Sequence, residues 1–434
     1  MNNDELFNRL NVHGSHCVEK LNFAAAECAF QQALSINPKS EMIFSNLGAL
    51  HWNMLDFDKA YYYTKEALKI NPNYAAAHGN LGLLLDAENK FEEALKETNE
   101  AIRLDPKKID YQWDRMITYM DMGDWERGFD EYWVRFRYKF KDYSPLPYPE
   151  WEGEDLNEKI IYMQTEQGVG DRILFARFLK VIKDKYPTCR ILVATEPENY
   201  PLFWEYKRRK YIDEFVPFDM PYPKADFGVY LMSIAKALKL RPDNIPENND
   251  LMLTHAQFYK NKFKPKTFRK NSLKIGICWS GNPLFVLNHW RSMPLTKMCQ
   301  LIDDPDITFF SFQQFGTAEI TKAGMTPMLF DLSEPMKTWH GTMACMQHMD
   351  LIISVDTSIV HLAGTLNIPV WNILNTASYW PYGRTDNTTT PWYPSMRLFR
   401  QKKRGDWDTV LDDVKEELLK FKAEKKKKLK LVFL

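Results

Sequence analysis

Lys159-Ile160-Ile161-Tyr162-Met163-Gln164-Thr165-Glu166-Gln167-Gly168-Val169-Gly170-Asp171-Arg172-Ile173-Leu174 changes its pattern half-way along. Residues 159–165 form an apolar run of strand length, and Gly168-Val169-Gly170 interrupts it as a tight turn. Residues 171–185 then carry Ile173, Leu174, Phe178, Leu179 and Ile182 on one helical face. A further apolar run at 190–195 reads as the next strand. Strand, glycine turn, helix and strand in this order make a βαβ unit of a parallel sheet, whose ligand site lies at the carboxyl end of the strand.

The same pattern restarts beyond 263–271, a stretch with Lys264, Lys266, Arg269 and Lys270 around Pro265 that reads as an exposed connector. Strands are predicted at 274–279, 307–312, 351–355 and 369–374, and helices at 295–301, 343–349 and 358–366. Two successive α/β units imply two Rossmann-like domains facing a cleft. A final amphipathic helix over 406–422, with Trp407, Val410, Val414, Leu418 and Phe421 on one face, ends in the lysine run 425–428. Upstream, Pro145, Pro147 and Pro149 forbid continued helix and mark a linker.

The first third obeys a different rule. Pro38, Pro72 and Pro106 recur at an interval of 34 residues; Gly14, Gly48 and Gly82 share a second phase, Phe23, Phe57, Phe91 and Trp125 a third, Ala26, Ala60, Ala94 and Gly128 a fourth, and Ala33, Ala67 and Ala101 a fifth. Each unit divides into two helical patterns, as at 43–55 and 57–70, closed by a proline that cannot continue the second helix. The small residues allow the two helices of a hairpin to approach closely. This pattern is identified as the tetratricopeptide repeat, with about four units over residues 3–138. Such repeats stack into a curved solenoid whose concave face commonly holds a peptide or a partner, though the solenoid can also serve only to pack on the next domain.

The chain has 434 residues, 45% hydrophobic and 14% aromatic, the composition of a packed globular protein of two or three domains. Its 57 basic and 57 acidic side chains give no overall basic field for nucleic acid or an anionic membrane. By segment, residues 1–138 carry −7, residues 139–418 carry +1 and residues 419–434 carry +6. The acidic repeat region is thus biased against acidic partners, and the tail is the only segment suited to an anionic surface. Cys17, Cys28, Cys189, Cys278, Cys299 and Cys345 are scattered without zinc or disulfide spacing, and read as free buried thiols in a reducing compartment. The start lacks a basic segment followed by an apolar core, and no run reaches the ~18 apolar residues of a membrane span. A soluble, cytoplasmic protein is expected.

Three groups can carry chemistry. Glu166-Gln167-Gly168-Val169-Gly170-Asp171 turns a strand into a helix; Gly168 and Gly170 permit positive φ and close approach of a ligand, and Asp171 opens the helix at the cleft edge, unless it simply caps it. Ser354-Val355-Asp356-Thr357-Ser358 likewise opens a helix, followed by His361. Free amides and the hydroxyls of Thr357 and Ser358 suit a diphosphate, while Asp356 as an N-cap and His361 as a satisfied core histidine are the plainer readings. Trp279-Ser280-Gly281-Asn282-Pro283 with Arg291-Ser292-Met293-Pro294 extends the loop after the second domain's first strand, and the Arg291 fork fits two phosphate oxygens. No Gly-Lys-Ser/Thr phosphate loop and no acidic ribose partner are evident.

Together with the repeats and with Pro391-Trp392-Tyr393-Pro394-Ser395-Met396-Arg397-Leu398-Phe399-Arg400-Gln401, these groups resemble the bacterial repeat-fused relatives of the heptosyltransferases, glycosyltransferase family 9-like proteins of GT-B fold. The resemblance spans residues 10–418. It implies that Asp171 is the catalytic base, that Asp356, Thr357, Ser358 and His361 bind a nucleotide diphosphate-sugar donor with Gly281 and Asn282 beside them, and that Arg291 meets the donor phosphates. The apolar Leu284-Phe285-Val286-Leu287 departs from the polar residues that relatives usually place there.

The expectation is therefore an α-solenoid over 1–138, a linker over 139–158, an acceptor-side Rossmann-like domain over 159–271, a donor domain over 272–418 and a basic tail over 419–434 of a GT-B chain. Its expected activity is inverting, metal-independent sugar transfer to a carbohydrate or protein hydroxyl, with no resident cofactor, no nucleic acid partner and no integral membrane segment. The alternative is a non-catalytic adaptor whose transferase domain is degenerate.

Overall fold

The computed structural model describes residues 2–138, 145–248, 250–266, 272–285, 288–376, 378–384 and 387–432, and main chain alone from 428 onwards. The chain divides into two compact units, Met1–Ser144 and Pro145–Leu434.

The first unit is built of antiparallel helix pairs: α1 (Asn3–Glu19) with α2 (Phe23–Ile36), α3 (Glu41–Asn53) with α4 (Phe57–Ile70), α5 (Ala75–Ala87) with α6 (Phe91–Leu104), and α7 (Ile109–Asp121) with α8 (Trp125–Glu131), followed by α9 (Arg135–Tyr138). The glycine phase is explained by contact. A Cβ on Gly48 would lie 2.5 Å from Thr64 Oγ1, and one on Gly82 2.4 Å from Thr98 Oγ1, so each helix pair closes over a missing side chain. Ala26, Ala60 and Ala94 are fully buried at the matching position of the second helix. The backbone repeats too. Leu21, Leu55, Asn89 and Gly123 all take positive φ, and the next residue caps the following helix: Asn22, Asp56 and Asp124 each accept a backbone N–H, whereas Lys90 supplies no cap.

The second unit holds two wholly parallel sheets. The first has the order β3-β2-β1-β4, from β1 (Ile160–Gln164), β2 (Arg190–Ala194), β3 (Glu214–Val216) and β4 (Phe227–Tyr230). Its helices are α10 (Val169–Lys185), α11 (Tyr200–Arg208), α12 (Ile234–Ala237) and α13 (Leu251–Tyr259). The second has the order β10-β9-β8-β5-β6-β7, from β5 (Leu273–Cys278), β6 (Ile307–Ser311), β7 (Leu329–Asp331), β8 (Leu351–Val355), β9 (Val370–Leu374) and β10 (Met396–Arg400). Its helices are α14 (Asn288–Arg291), α15 (Leu295–Met298), α16 (Thr317–Lys322), α17 (Trp339–Met346), α18 (Ser358–Thr365) and α19 (Trp407–Val432). Gln164 pairs with Ala194 and Tyr230, and Val355 with Ile373, so the strands of each sheet end level and expose one carboxyl edge. The fold class read from the sequence, a repeat solenoid followed by two Rossmann-like sheets, is the one observed.

Two boundaries differ from the sequence reading. The latter part of the predicted linker belongs to the second unit: Trp151 and Leu156 are buried, Trp151 N donates to Gly228 O at 3.0 Å, and Gly228 N donates to Pro149 O at 2.9 Å. Prolines exclude helix but tolerate an extended strip at a sheet edge, which pairs through few N–H groups. The predicted basic tail is no separate segment either, because α19 continues unbroken to Val432. Lys422 pairs with Asp304 and Asp306, Lys425 with Asp350 at 3.5 Å, and Lys426 with Asp306 at 2.7 Å, which fastens the lysine run to the amino ends of β6 and β8. The connector at 263–271 is described only as far as Lys266, and Val286 and Leu287 of the apolar loop lie outside the described residues. Of the cysteines expected to be buried, Cys17, Cys189, Cys278 and Cys345 are, whereas Cys28 is exposed and Cys299 half-buried.

Candidate functional site

The carboxyl end of β1 leads through Thr165 and Glu166 into the start of α10. The helix begins two residues earlier than its periodicity suggests, inside the glycine pair. Neither glycine takes positive φ; that conformation falls on Gln167, at φ 61°. Gly168 is the N-cap, and its N–H donates to Asp171 Oδ2 at 3.0 Å, so Asp171 closes the first turn as a capping carboxylate.

Gly170 serves a close approach, though not to a ligand: a Cβ there would lie 2.8 Å from His361 Cδ2 and 3.6 Å from Ser358 Cα. The amino ends of α10 and α18 therefore meet, bringing Asp171 of the first sheet's domain to the start of a helix of the second. Further contacts hold this junction. Arg177, buried in α10, donates from Nη1 to Trp392 O at 3.1 Å and to Pro246 O at 3.2 Å. Asn248 Nδ2 donates to Gly364 O at 3.3 Å and to Thr365 O at 3.0 Å, satisfying carbonyls at the end of α18.

Asp171 Oδ1 accepts the hydroxyl of Tyr379, which stands in the loop after β9. Burial pushes the Asp171 carboxyl up to about 6; the Tyr379 and Gly168 hydrogen bonds pull it back, and the nearby charges of Asp356 and Glu166 add to the rise. Asp356 is buried and also raised, chiefly by desolvation, with Arg291 and the Tyr382 hydroxyl opposing.

Thr357 is the N-cap of α18, its Oγ1 accepting Ile359 N at 3.2 Å, while Ser358 lies half-buried beside it. His361, expected as a donor contact or as a satisfied core histidine, packs between two tyrosines. It is buried, its Nδ1 lies 3.2 Å from the Tyr393 hydroxyl and its Nε2 3.1 Å from that of Tyr382. Desolvation, helped by Arg177 and Arg291, lowers its pKa to about 3, so the ring is neutral and both nitrogens are occupied. It orients tyrosines and fills the hollow at Gly170.

Arg291, at the end of α14, lies over the Phe285 ring at 4.7 Å and donates from Nε to Asn288 Oδ1 at 3.4 Å. A Cβ on Gly281 would lie 2.7 Å from Arg291 Nη2, so this glycine makes room for the guanidinium. Asn282 is exposed and shapes the turn by accepting Leu284 N at 3.0 Å through its side chain. Tyr379, Tyr382, Tyr393 and Arg177 were not singled out as site residues from the sequence. The available signal was Tyr379-Trp380-Pro381-Tyr382-Gly383, an aromatic loop directly after a core strand at the carboxyl edge.

Residues 55–113 match the tetratricopeptide repeat family. The first unit carries tetratricopeptide repeats. Over 342 residues the chain is 24% identical to protein FlbA of Caulobacter vibrioides, covering 72% of this chain and 55% of the relative, so it spans about half the length of that curated protein. Among solved structures, ADP-heptose lipopolysaccharide heptosyltransferase II of Escherichia coli is similar over 61% of this chain and 99% of its own, at 12% identity and a TM-score of 0.41. A mutant O-GlcNAc transferase of Thermobaculum terrenum is similar over 86% of this chain and 83% of its own, at 13% identity and a TM-score of 0.33.

Proposed function

We propose that the second unit is an inverting glycosyltransferase that moves a sugar from a nucleotide diphosphate-sugar to a hydroxyl acceptor. The observation that carries this reading is the meeting of α10 and α18 at Gly170 and Ser358, which sets a carboxylate of raised basicity beside a helix amino end. An acceptor hydroxyl is a poor nucleophile at neutral pH, and its proton must be taken as the new bond to the anomeric carbon forms. A carboxylate with a pKa of about 6 is ionised at pH 7 yet more basic than an ordinary aspartate, which suits Asp171 to that task. Charge that develops on the departing diphosphate is met by the amino end of α18 at Thr357 and Ser358 and by the Arg291 guanidinium. In this reading those groups do the work without a metal ion.

Attack on the face opposite the leaving group inverts the anomeric centre. The repeats of the first unit bind the acceptor or a partner protein, and a net charge of −7 over residues 1–138 favours a neutral or basic one.

A thermal-shift panel of nucleotide diphosphate-sugars on the full chain, followed by hydrolysis and transfer assays with the best binder, tests the proposal. A shift with a matching nucleotide, and turnover abolished by Asp171→Asn, are the expected results. The adaptor reading draws on the engagement of both Asp171 oxygens; nucleotide binding without turnover under any condition would favour it.

A further inference from the structure

We propose that Tyr379 is a positioning residue that occupies the acceptor hydroxyl's place on Asp171 until acceptor displaces it; this rests on the transferase reading above. Asp171 has two carboxylate oxygens. Oδ2 is committed to the Gly168 N–H in the helix cap, which leaves Oδ1 to receive a substrate proton. Oδ1 is the oxygen that accepts the Tyr379 hydroxyl, so a phenol reaches the base in the manner required of an acceptor.

The residue comes from the opposite sheet. Asp171 follows β1, while Tyr379 lies in the loop after β9, half-exposed, with its ring 6.3 Å from His361 and 6.2 Å from Tyr382. Tyr382 is different in kind, being buried and bound to His361 and Asp356. The Tyr379 hydroxyl therefore sits at the mouth of an otherwise locked aromatic cluster. Displacement keeps every group paired: the acceptor hydroxyl donates to Oδ1 in place of the phenol, and the half-exposed phenol turns to water. While capped, the base is also shielded from water, which limits donor hydrolysis in the absence of acceptor.

The groups facing Asp171 are Glu166 at the end of β1, Asp356 at the end of β8, and Tyr379, Tyr382 and Tyr393 from the loops after β9. Arg291 and Arg177 act on its neighbours Asp356 and His361. Among these, only the Tyr379 hydroxyl and the Gly168 N–H donate to the carboxylate, and both favour its ionised form.

Tyr379→Phe in the full chain tests the idea by two readouts. In transfer assays the acceptor KM is expected to fall about 10-fold or more, the worth of one hydrogen bond to a charged group, while donor hydrolysis without acceptor rises and the acid limb of the pH profile moves to higher pH. Independently of activity, carbodiimide labelling of Asp171, followed by peptide mass spectrometry across pH, is expected to increase in the variant with its midpoint moved to higher pH. Unchanged labelling and an unmoved acid limb would overturn the proposal, as would a collapse of kcat at constant KM. If no nucleotide-sugar is turned over at all, the transferase reading fails while the labelling arm still decides whether Tyr379 caps Asp171.

Discussion

At the scale of single residues, Asp171 and Gly170 do different work from what their spacing suggests. The sequence showed a glycine pair before an aspartate at a strand-to-helix turn, and a cap or a ligand loop were equally readable from it. What could not be read is the partner, because His361 and Tyr379 lie about two hundred positions away and meet this turn only through the fold. The raised carboxyl has a thermodynamic sign. A folded pKa of about 6 against an ordinary 3.8 means that the native state holds the proton more tightly, so stability falls as pH rises through that window and the whole cost is present above it. Asp171→Asn removes the cost. The variant is expected to exceed wild type by about 1–2 kcal/mol at pH 8, after allowing for partial exposure, and to match it near pH 3. Urea titrations at the two pH values check this, and an equal difference at both would reject it. Gly170→Ala adds a methyl 2.8 Å from a histidine ring held between two tyrosines, where there is no room to turn. A loss of about 1–3 kcal/mol is expected from overpacking. A melting temperature equal to wild type would show that α10 and α18 do not meet as described.

At the scale of elements, the repeat helices were almost fully legible, since α4 has the bounds its periodicity predicts and the recurring glycines and alanines sit at the helix contacts. The reason is that each repeat is a local unit whose pattern is restated every 34 residues. The α/β region was legible only in its long elements. Three-residue strands such as β3 and β7 lack the length for a periodic signal, and β10 was quoted within a motif without being read as a strand. The end of α19 was misjudged because a lysine run looks solvated unless its acidic partners, here Asp304, Asp306 and Asp350, are known to face it. The capping phase leads to a gain-of-stability prediction. Asn22, Asp56 and Asp124 cap their helices and Lys90 does not, although it occupies the same phase before α6. Lys90→Asp places an acceptor at the N-cap and an anion at the positive end of the helix dipole, at the expense of an exposed pair with Glu88. The first unit is expected to gain about 0.5–1 kcal/mol, seen as a higher midpoint in denaturant. A lower midpoint would mean that α6 is capped some other way.

At the scale of the whole molecule, the proposed chemistry and the proposed recognition fall on different stretches of chain. The contacts described for Asp171, Asp356 and His361 lie within Pro145–Leu434: the Gly168 amide, Tyr379, Tyr382, Tyr393 and the Arg291 charge. The second unit also has its own core, around Ile275, Ile353 and Ile373 of the larger sheet, while the first has another around Phe30, Ile43 and Leu47. Residues 145–434, starting with the proline strip that packs along β4, are therefore expected to fold alone and to keep donor hydrolysis. Within this unit, His361 and His255 are held neutral by burial, with pKa values lowered to about 3 and about 4. A histidine whose folded pKa lies below its unfolded 6.5 stabilises the native state above 6.5, and that contribution is lost as pH falls through the window beneath. Asp171, raised to about 6, acts in the opposite direction over nearly the same range, and Asp356 is shifted in the same sense as Asp171, so removing a histidine should reveal the slope it supplies. His255→Gln in residues 145–434 is expected to flatten the loss of stability between pH 6.5 and 4 relative to the unsubstituted fragment, read by denaturant titration at intervals of pH. If hydrolysis vanishes from the folded fragment, the site needs the repeats. If hydrolysis persists but transfer to a protein acceptor is lost, the repeats deliver the acceptor, which is the outcome expected from the proposed role of the acidic repeats.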